Sequence, residues 1–394
     1  MSLIVRVAGR GEGVTADGRH VALAAPGDTL TNAGEVIPGP HHQLPPCRHF
    51  PECGGCQLQH LDDVSYATFI ADRIAGALAA QGLTTEIRPT LLSPPRTRRR
   101  ATLHAEGRGG RVQLGFTAQA SHAIVDMHEC HILHPQLFAL VAPLRKLLAR
   151  LGLKRRADVH LTLSAQGPDL LITGLTADGL AAAEAITAFA QAHKLARVSL
   201  DDGLGPETRW EPQPVTIALS GTPVPLPPAA FLQATAEGEA ALVAAVREAT
   251  GGAATIADLF AGLGTFALAL PGRVYAAEGA RDVVLALKAA AAQRPIFTEH
   301  RDLFRRPLTS AELDRFDAVV IDPPRAGARE QVAQLAASRV ARLAYVSCNP
   351  SSFARDAKTL CENGWRLDWV QPVGQFRWST HVELAARFSR QPSP

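Results

Sequence analysis

The apolar positions of this chain change period from one region to the next, and each change marks a different kind of element. Over residues 3–37 short apolar runs alternate with Gly and Asp turns, as in IVRVAGRGEGVTADGRHVALAAPGD, which predicts a small, curled β-unit. Pro38, Pro40, Pro45 and Pro46 follow as a linker before Cys47. From Asp62 to Ala80 the residues Tyr66, Phe69, Ile70, Ile74 and Leu78 recur at helical spacing, with Gly82 as the stop, and predict one amphipathic helix. Between residues 98 and 225 the segments TLHAEG, RVQLGFTA, HAIVDM, VHLTLSA, DLLITGL and ARVSLDD read as strands, with helical stretches near 136–150 and 178–193. Beyond the Pro-rich segment GTPVPLPP, the runs TIADLF, RVYAAE, DAVVID and RLAYVSC alternate with Ala-rich helical stretches, the rhythm of a parallel sheet buried on both faces. The last residues, RQPSP, read as a frayed tail.

A chain of 394 residues is too long for one core, so two or three domains are expected. With 46% apolar and 20% charged residues it can bury enough surface to fold. Its net charge of +3 does not by itself announce a nucleic-acid partner. Local charge adds to the picture. Arg96, Arg98, Arg99 and Arg100 are followed by Arg108 and Arg111, and Lys154, Arg155 and Arg156 form a second cluster; each suits phosphates or a solvated basic face equally. The start, MSLIVRVAGRGEG, lacks the basic flank and unbroken apolar core of a secretory signal, and no apolar run reaches membrane-spanning length, so the cytoplasm is the expected location. In that reducing compartment the six cysteines are candidates for metal binding or catalysis rather than for disulfides.

In open α/β sheets ligands bind beyond the carboxyl ends of the strands, and here the runs end in or near Asp258, Glu278, Asp322 and Cys348. TIADLF enters AGLGTFALAL, where Gly262 and Gly264 permit a tight turn, and Glu278 stands at the next strand end, placed for ribose hydroxyls. That loop suits an adenosine-containing ligand, a dinucleotide or S-adenosylmethionine alike, because GLGTFA with Ala267 also fits the nicotinamide fingerprint. Pro323 and Pro324 after Asp322 lock the backbone outward and hold the carboxylate at the sheet edge. Cys348, followed by Asn349 and Pro350, is expected at a strand end beside a helix N-terminus, where the dipole and a nearby arginine favour the thiolate. Cys361, inside a helical stretch, reads as a small core residue. Glu383 is a carboxylate in the apolar stretch THVELAARF, costly to bury unless it has work or an ion-pair partner such as Arg325 or Arg387.

Taken together these segments resemble the RNA uracil-5-methyltransferase family, in its iron-sulfur branch, from about Cys47 to Phe388. Phe231, Leu232 and Gln233 match that family's cofactor-contacting segment, Asp258 to Phe266 its first cofactor loop, Glu278 its ribose-binding acid and Asp302 the acid near the adenine; DPPRAG, VSCNPSSFARD and HVE match the remaining motifs. The resemblance implies an α/β, Rossmann-like class I methyltransferase domain over residues 229–394. It also implies a mixed β-rich, RNA-binding central domain with the iron-sulfur site over 47–228, and a truncated TRAM-like β-unit over 1–46. The implied activity is transfer of the methyl group of S-adenosylmethionine to carbon 5 of a specific uridine in RNA, in 23S ribosomal RNA ahead of transfer RNA. Cys348 would be the nucleophile, Glu383 the base, and Gln233, Phe260, Thr265, Glu278, Asp302 and Asp322 would surround the cofactor.

The chemistry gives these residue types a reason. A thiolate added to carbon 6 of uracil turns carbons 4, 5 and 6 into an enolate able to attack a methyl sulfonium, and a base must then remove the hydrogen on carbon 5. The spacing in CRHFPECGGCQLQHL, with Cys130 in SHAIVDMHEC, is similar to that of members whose four thiolates hold a 4Fe-4S cluster, which makes Cys47, Cys53, Cys56 and Cys130 its expected ligands. Zinc competes for four cysteines, and CGGC alone could be a redox pair. Thr97 and Arg99 in TRRRATL and Arg377 in QFRWSTHVE depart from the family's usual residues. A nicotinamide-dependent iron-sulfur oxidoreductase would share the glycine loop and the cluster but leave DPPR and SCNP without a role, and a non-catalytic RNA-binding module would have no use for Cys348. No protein partner and no membrane is implied, and a monomer is expected.

Overall fold

The computed structural model describes residues 1–390, so the stretch RQPSP lies, Arg390 apart, outside the described residues. Five short strands between Ser2 and Ile37 form a small sheet. Helix Asp63–Ala79 starts at Asp62, whose carboxylate accepts the Ser65 amide, and buries Tyr66, Phe69, Ile70, Ile74 and Leu78, the predicted stripe. The stripe packs against the C-terminal sheet, in one core with Val319, Leu343, Phe353, Val370 and Phe388, although the β-rich region stands between them in sequence.

That β-rich region is a six-stranded sheet in the order Glu207–Trp210, Arg197–Asp201, Gly167–Thr173, Arg156–Ser164, Arg100–Arg108, Arg111–Gly115. In Arg100–Arg108 the residues Ala101, Leu103 and Ala105 point into a core roofed by helices Val141–Arg150 and Leu180–Ala192, which leaves Arg100, Thr102 and His104 on the opposite face. Two expectations need correction. The helical stretch near 136–150 is two pieces, Pro135–Phe138 and Val141–Arg150. HAIVDM is not a strand: it makes one bridge, Ile124 to Thr117, and the Asp126 carboxylate accepts the Leu114 amide at 3.1 Å where a ladder would place a carbonyl. Within the Pro-rich segment GTPVPLPP, Thr222–Pro225 forms a hairpin with Thr216–Leu219, a two-stranded ribbon whose free edges tolerate proline.

The C-terminal region carries a nine-stranded sheet. Ile296–His300, Arg273–Glu278, Thr255–Leu259, Ala318–Ile321 and Arg342–Ser347 run parallel in that order, followed by Glu383–Ser389 in the opposite direction and Arg366–Gly374 antiparallel to it. The free edge of Arg366–Gly374 is capped in parallel by Glu86–Ile87 and Leu91–Leu92, contributed from near the N-terminus. Strand order reverses beside Thr255–Leu259, because the chain first builds outward through Arg273–Glu278 and then returns to add Ala318–Ile321 on the other side. Such a switch point opens a crevice at the carboxyl ends of its strands.

Candidate active site

At that crevice lies a cleft of about 860 Å³, and one wall of it belongs to the central sheet. Gln233, Phe260, Thr265, Glu278, Asp302, Asp322, Cys348 and Glu383 all line it. Glu278 accepts the Gly262 amide at 3.0 Å with one oxygen and the Ala280 amide at 2.8 Å with the other, which ties the glycine loop to the neighbouring strand end. Phe260 adopts φ 63°, a left-handed conformation that costs an aromatic residue about 1–2 kcal/mol and turns its ring toward Phe304, 5.5 Å away. Asp302 accepts the Phe304 amide at 3.0 Å. Asp258, which ends the first strand's motif, serves the loop from beneath: one oxygen accepts the Ala267 amide at 2.8 Å and the other has no partner. Burial, reinforced by Asp322 and Glu278, pushes its pKa up to about 8.

Cys348 leaves strand Arg342–Ser347, and Asn349 caps helix Pro350–Glu362 by accepting the Ser351 amide at 3.1 Å. The expected thiolate is not favoured here. Burial, with the nearby Glu383 and Asp322, pushes the thiol up to about 11 against the opposing Arg325; desolvation and two acids outweigh one guanidinium and a helix end. Glu383 opens strand Glu383–Ser389 and is 4% exposed. Among the described residues it has no ion pair: Arg387 lies 3.3 Å from Asp368 instead. Its one side-chain hydrogen-bond partner among the described residues is Gln375, whose Nε2 donates to it at 2.9 Å. Burial, then repulsion from Asp322, raises its pKa to about 8, and burial raises Asp322 to about 7.

Cys47, Cys53, Cys56 and Cys130 converge on a separate small hollow of about 20 Å³, walled by Phe50, Phe116, Val125, Met127 and Ile132. Backbone bonds hold Cys53 and the segment after Cys56 in place, as the Gln57 and Leu58 amides both donate to Trp378 O and Cys53 bridges Ala118, while the Cys47 amide donates to Gln59 Oε1 at 3.2 Å. Arg98 lines both the hollow and the cleft.

The arginine run divides in a way that its spacing does not reveal. Arg99 is buried and donates to Glu239 and to Gln233 O, while Arg98 and Arg100 face the cleft, over Phe376 at 5.8 Å and over Phe231 at 5.0 Å. Only Arg96 of the four is solvent-exposed, whereas Arg108, Arg111, Lys154, Arg155 and Arg156 stay on the surface. Thr97 bonds Pro94 O at 2.8 Å. Arg377 pairs with Asp63 and donates to Ser93 O at 3.1 Å, so it pins the HVE loop to the start of helix Asp63–Ala79. Gln375 opens the segment QFRWSTHVE but is not singled out there, because a lone glutamine just after an apolar strand carries no distinguishing pattern.

Comparison with known proteins gives the chain's family. The tRNA (uracil-5-)-methyltransferase family matches residues 295–391. An uncharacterized RNA methyltransferase of Zymomonas mobilis is 50% identical over 396 residues, covering 99% of this chain and 100% of that protein. The 23S rRNA (uracil(1939)-C(5))-methyltransferase RlmD of Chromohalobacter salexigens is 33% identical, covering 89% of this chain and 77% of that one. The fold is that of the Pyrococcus abyssi tRNA (uracil-54, C5)-methyltransferase solved with S-adenosyl-L-homocysteine, with a TM-score of 0.76 and 98% of each chain covered at 21% identity. The protein is an enzyme that uses S-adenosylmethionine to methylate carbon 5 of uridine in RNA, and the chain belongs to the RNA uracil-5-methyltransferase family.

Proposed function

We propose that the target uridine lies in 23S ribosomal RNA, that Cys348 adds to its carbon 6 and that Glu383 removes the proton from carbon 5. The observation that carries this reading is that both side chains line one cleft with Asp322 and Gln233, facing Arg98 and Arg100 of the other wall. A uridine extruded from its stack would enter there, at a cost of roughly a few kcal/mol, with the two arginines available to its phosphates. The Cys348 sulfur, its proton already lost to solvent, attacks as the thiolate and bonds carbon 6 as the carbon 5–carbon 6 electron pair moves toward oxygen 4. Carbon 5 then takes the methyl carbon, and the bond from that carbon to the sulfonium breaks to leave S-adenosylhomocysteine. The Glu383 carboxylate takes the carbon 5 proton, the double bond re-forms and the Cys348 thiolate departs. When bound in this cleft, S-adenosylmethionine would supply the methyl group and a positive charge, and a positive charge near Asp322, Glu383 and Cys348 would favour their ionised forms.

Identity of 33% to a 23S rRNA enzyme favours the ribosomal substrate. Cys348→Ala should abolish methylation, by at least ~10³-fold, while S-adenosylmethionine still binds. Glu383→Gln should accumulate a covalent protein–RNA adduct, seen as a slow band on a denaturing gel. Nucleoside mass spectrometry of a deletion strain should show one 5-methyluridine missing from ribosomal RNA; a loss confined to transfer RNA would reassign the substrate, and turnover by Cys348→Ala would overturn the mechanism.

On the same reading Cys47, Cys53, Cys56 and Cys130 hold a 4Fe-4S cluster. What supports this is that all four line one apolar hollow, although among the described residues no three His, Cys, Asp or Glu side chains are placed to hold a metal ion. Bound there, the cluster would supply a rigid crosslink between the 47–56 loop and Cys130, and no step of the methylation passes through it. The place of action on this reading is the cytoplasm, where thiolate ligands stay reduced.

A further inference from the structure

The Glu383 carboxylate is buried, and its orientation depends on a single side chain. Gln375 Nε2 donates to Glu383 Oε2 at 2.9 Å and to Gln233 Oε1 at 2.7 Å, while Gln375 Oε1 accepts the Ala234 amide at 2.8 Å. The backbone donor at Ala234 fixes which way round the Gln375 amide lies, since a flipped amide would set NH2 against N–H and carbonyl against carboxylate. Gln233 continues the chain, its Nε2 reaching Asp322 Oδ2 at 3.5 Å. Four side chains from three separated segments thus run Asp322–Gln233–Gln375–Glu383, and Gln375, 2% exposed, is the only one of them that does not line the cleft.

We infer that Gln375 is a positioning residue for proton removal: it aims the Glu383 carboxylate at carbon 5 and, as that group's one hydrogen-bond donor, favours its ionised form. The inference rests on the reading of Glu383 as the base. A carboxylate accepts hydrogen bonds better than a carboxylic acid does, so a fixed donor shifts the balance toward the form that can take a proton. It acts against strong opposition. The titratable groups that face Glu383 are Asp322 and the Cys348 thiol, both of which disfavour its negative charge, and Arg325 faces Cys348 from the same side.

Single turnovers with RNA tritiated at uridine carbon 5 and carbon-14-labelled S-adenosylmethionine separate methyl transfer from proton release. For Gln375→Met, which keeps length and removes the donor, tritium release should slow by ~10- to 100-fold, in keeping with loss of one charge-assisted hydrogen bond. Methyl transfer in that first turnover should persist, the covalent adduct should accumulate, and the acid limb of the release profile should move up by about one pH unit. Gln375→Glu matches the shape but presents an acceptor, and should move that limb further in the same direction. Unchanged release and an unchanged limb in both variants would overturn the inference, and so would an equal loss of methyl transfer and release, the pattern of a merely structural residue. Glu383→Gln run in parallel keeps the two levels apart. Normal tritium release by that variant would remove Glu383 as base, whereas a stall there beside normal Gln375→Met would sink the Gln375 assignment alone.

Discussion

Asp258, Asp322 and Glu383 are three acids buried without a cation, and each therefore holds its proton to a higher pH than an exposed carboxyl, to about 8, 7 and 8 respectively. The sign of the consequence follows from proton counting. Between the ordinary carboxyl value near pH ~4 and the raised values, the folded protein binds more protons than the unfolded chain, so stability from this source is complete below that range and is lost as pH climbs through 7 to 8. The melting temperature of the cofactor-free protein should accordingly fall between pH ~5 and ~8.5, and Glu383→Gln, which cannot ionise, should melt roughly 2–5 °C above wild type at the alkaline end. A flat wild-type profile in thermal scans would show the acids to be already ionised. Cys348 carries the same lesson for reading sequence. Its helix end and arginine are visible in SCNP and DPPR, but the burial and the two acids that dominate its thiol are contributed by other strands.

Elements were legible where one periodicity ran uninterrupted and side-chain chemistry did not compete with it. The stripe of helix Asp63–Ala79 and the four parallel runs of the C-terminal sheet are of this kind. HAIVDM fails as a strand because Asp126 satisfies a neighbour's amide itself, and Arg366–Gly374 is not legible because Asp368, Gln371 and Pro372 break its apolar run without setting up an alternation. The cofactor loop makes an element-scale demand that can be measured. Gly264 has φ 92°, and a Cβ there would meet the Leu287 side chain on helix Arg281–Ala290. Gly264→Ala is therefore expected to cost about 1–3 kcal/mol and to weaken S-adenosylmethionine binding by at least ~10-fold, through a displaced loop rather than a lost contact. Calorimetric titration that found unchanged affinity would refute the tight-packing account; Gly262, whose Cβ would meet open space, supplies the comparison at φ 54°.

At the scale of the whole molecule the cleft exists because two sheets face each other across it, with Arg98 reaching from the cysteine hollow to the catalytic side. If four thiolates hold a cluster there, its loss should loosen the wall that carries Arg98 and Phe116. Cys56→Ser or exhaustive chelation is expected to abolish the visible absorption of an iron-sulfur centre, lower the melting temperature by at least ~5 °C and weaken RNA binding, while S-adenosylmethionine affinity changes less than ~3-fold. Zinc found by metal analysis of the purified protein in place of iron would replace the cluster with a single-ion site.

The amino-acid sequence by itself determined the inventory: which motifs occur and in what order, the periodicity of each contiguous helix or strand, and the family to which their combination points. Those properties reside within short segments, where spacing translates directly into a face or a turn. Tertiary structure alone decided that Cys348 and Glu383 share a cleft, that Arg99 is buried while Arg98 and Arg100 face the cleft, and that Glu86–Ile87 closes the far sheet edge. It alone decided that Gln375 meets Gln233 across 142 residues of chain. Each of these is a contact between distant segments, and the protonation of a buried group is set by whatever those segments place around it; no local pattern encodes either.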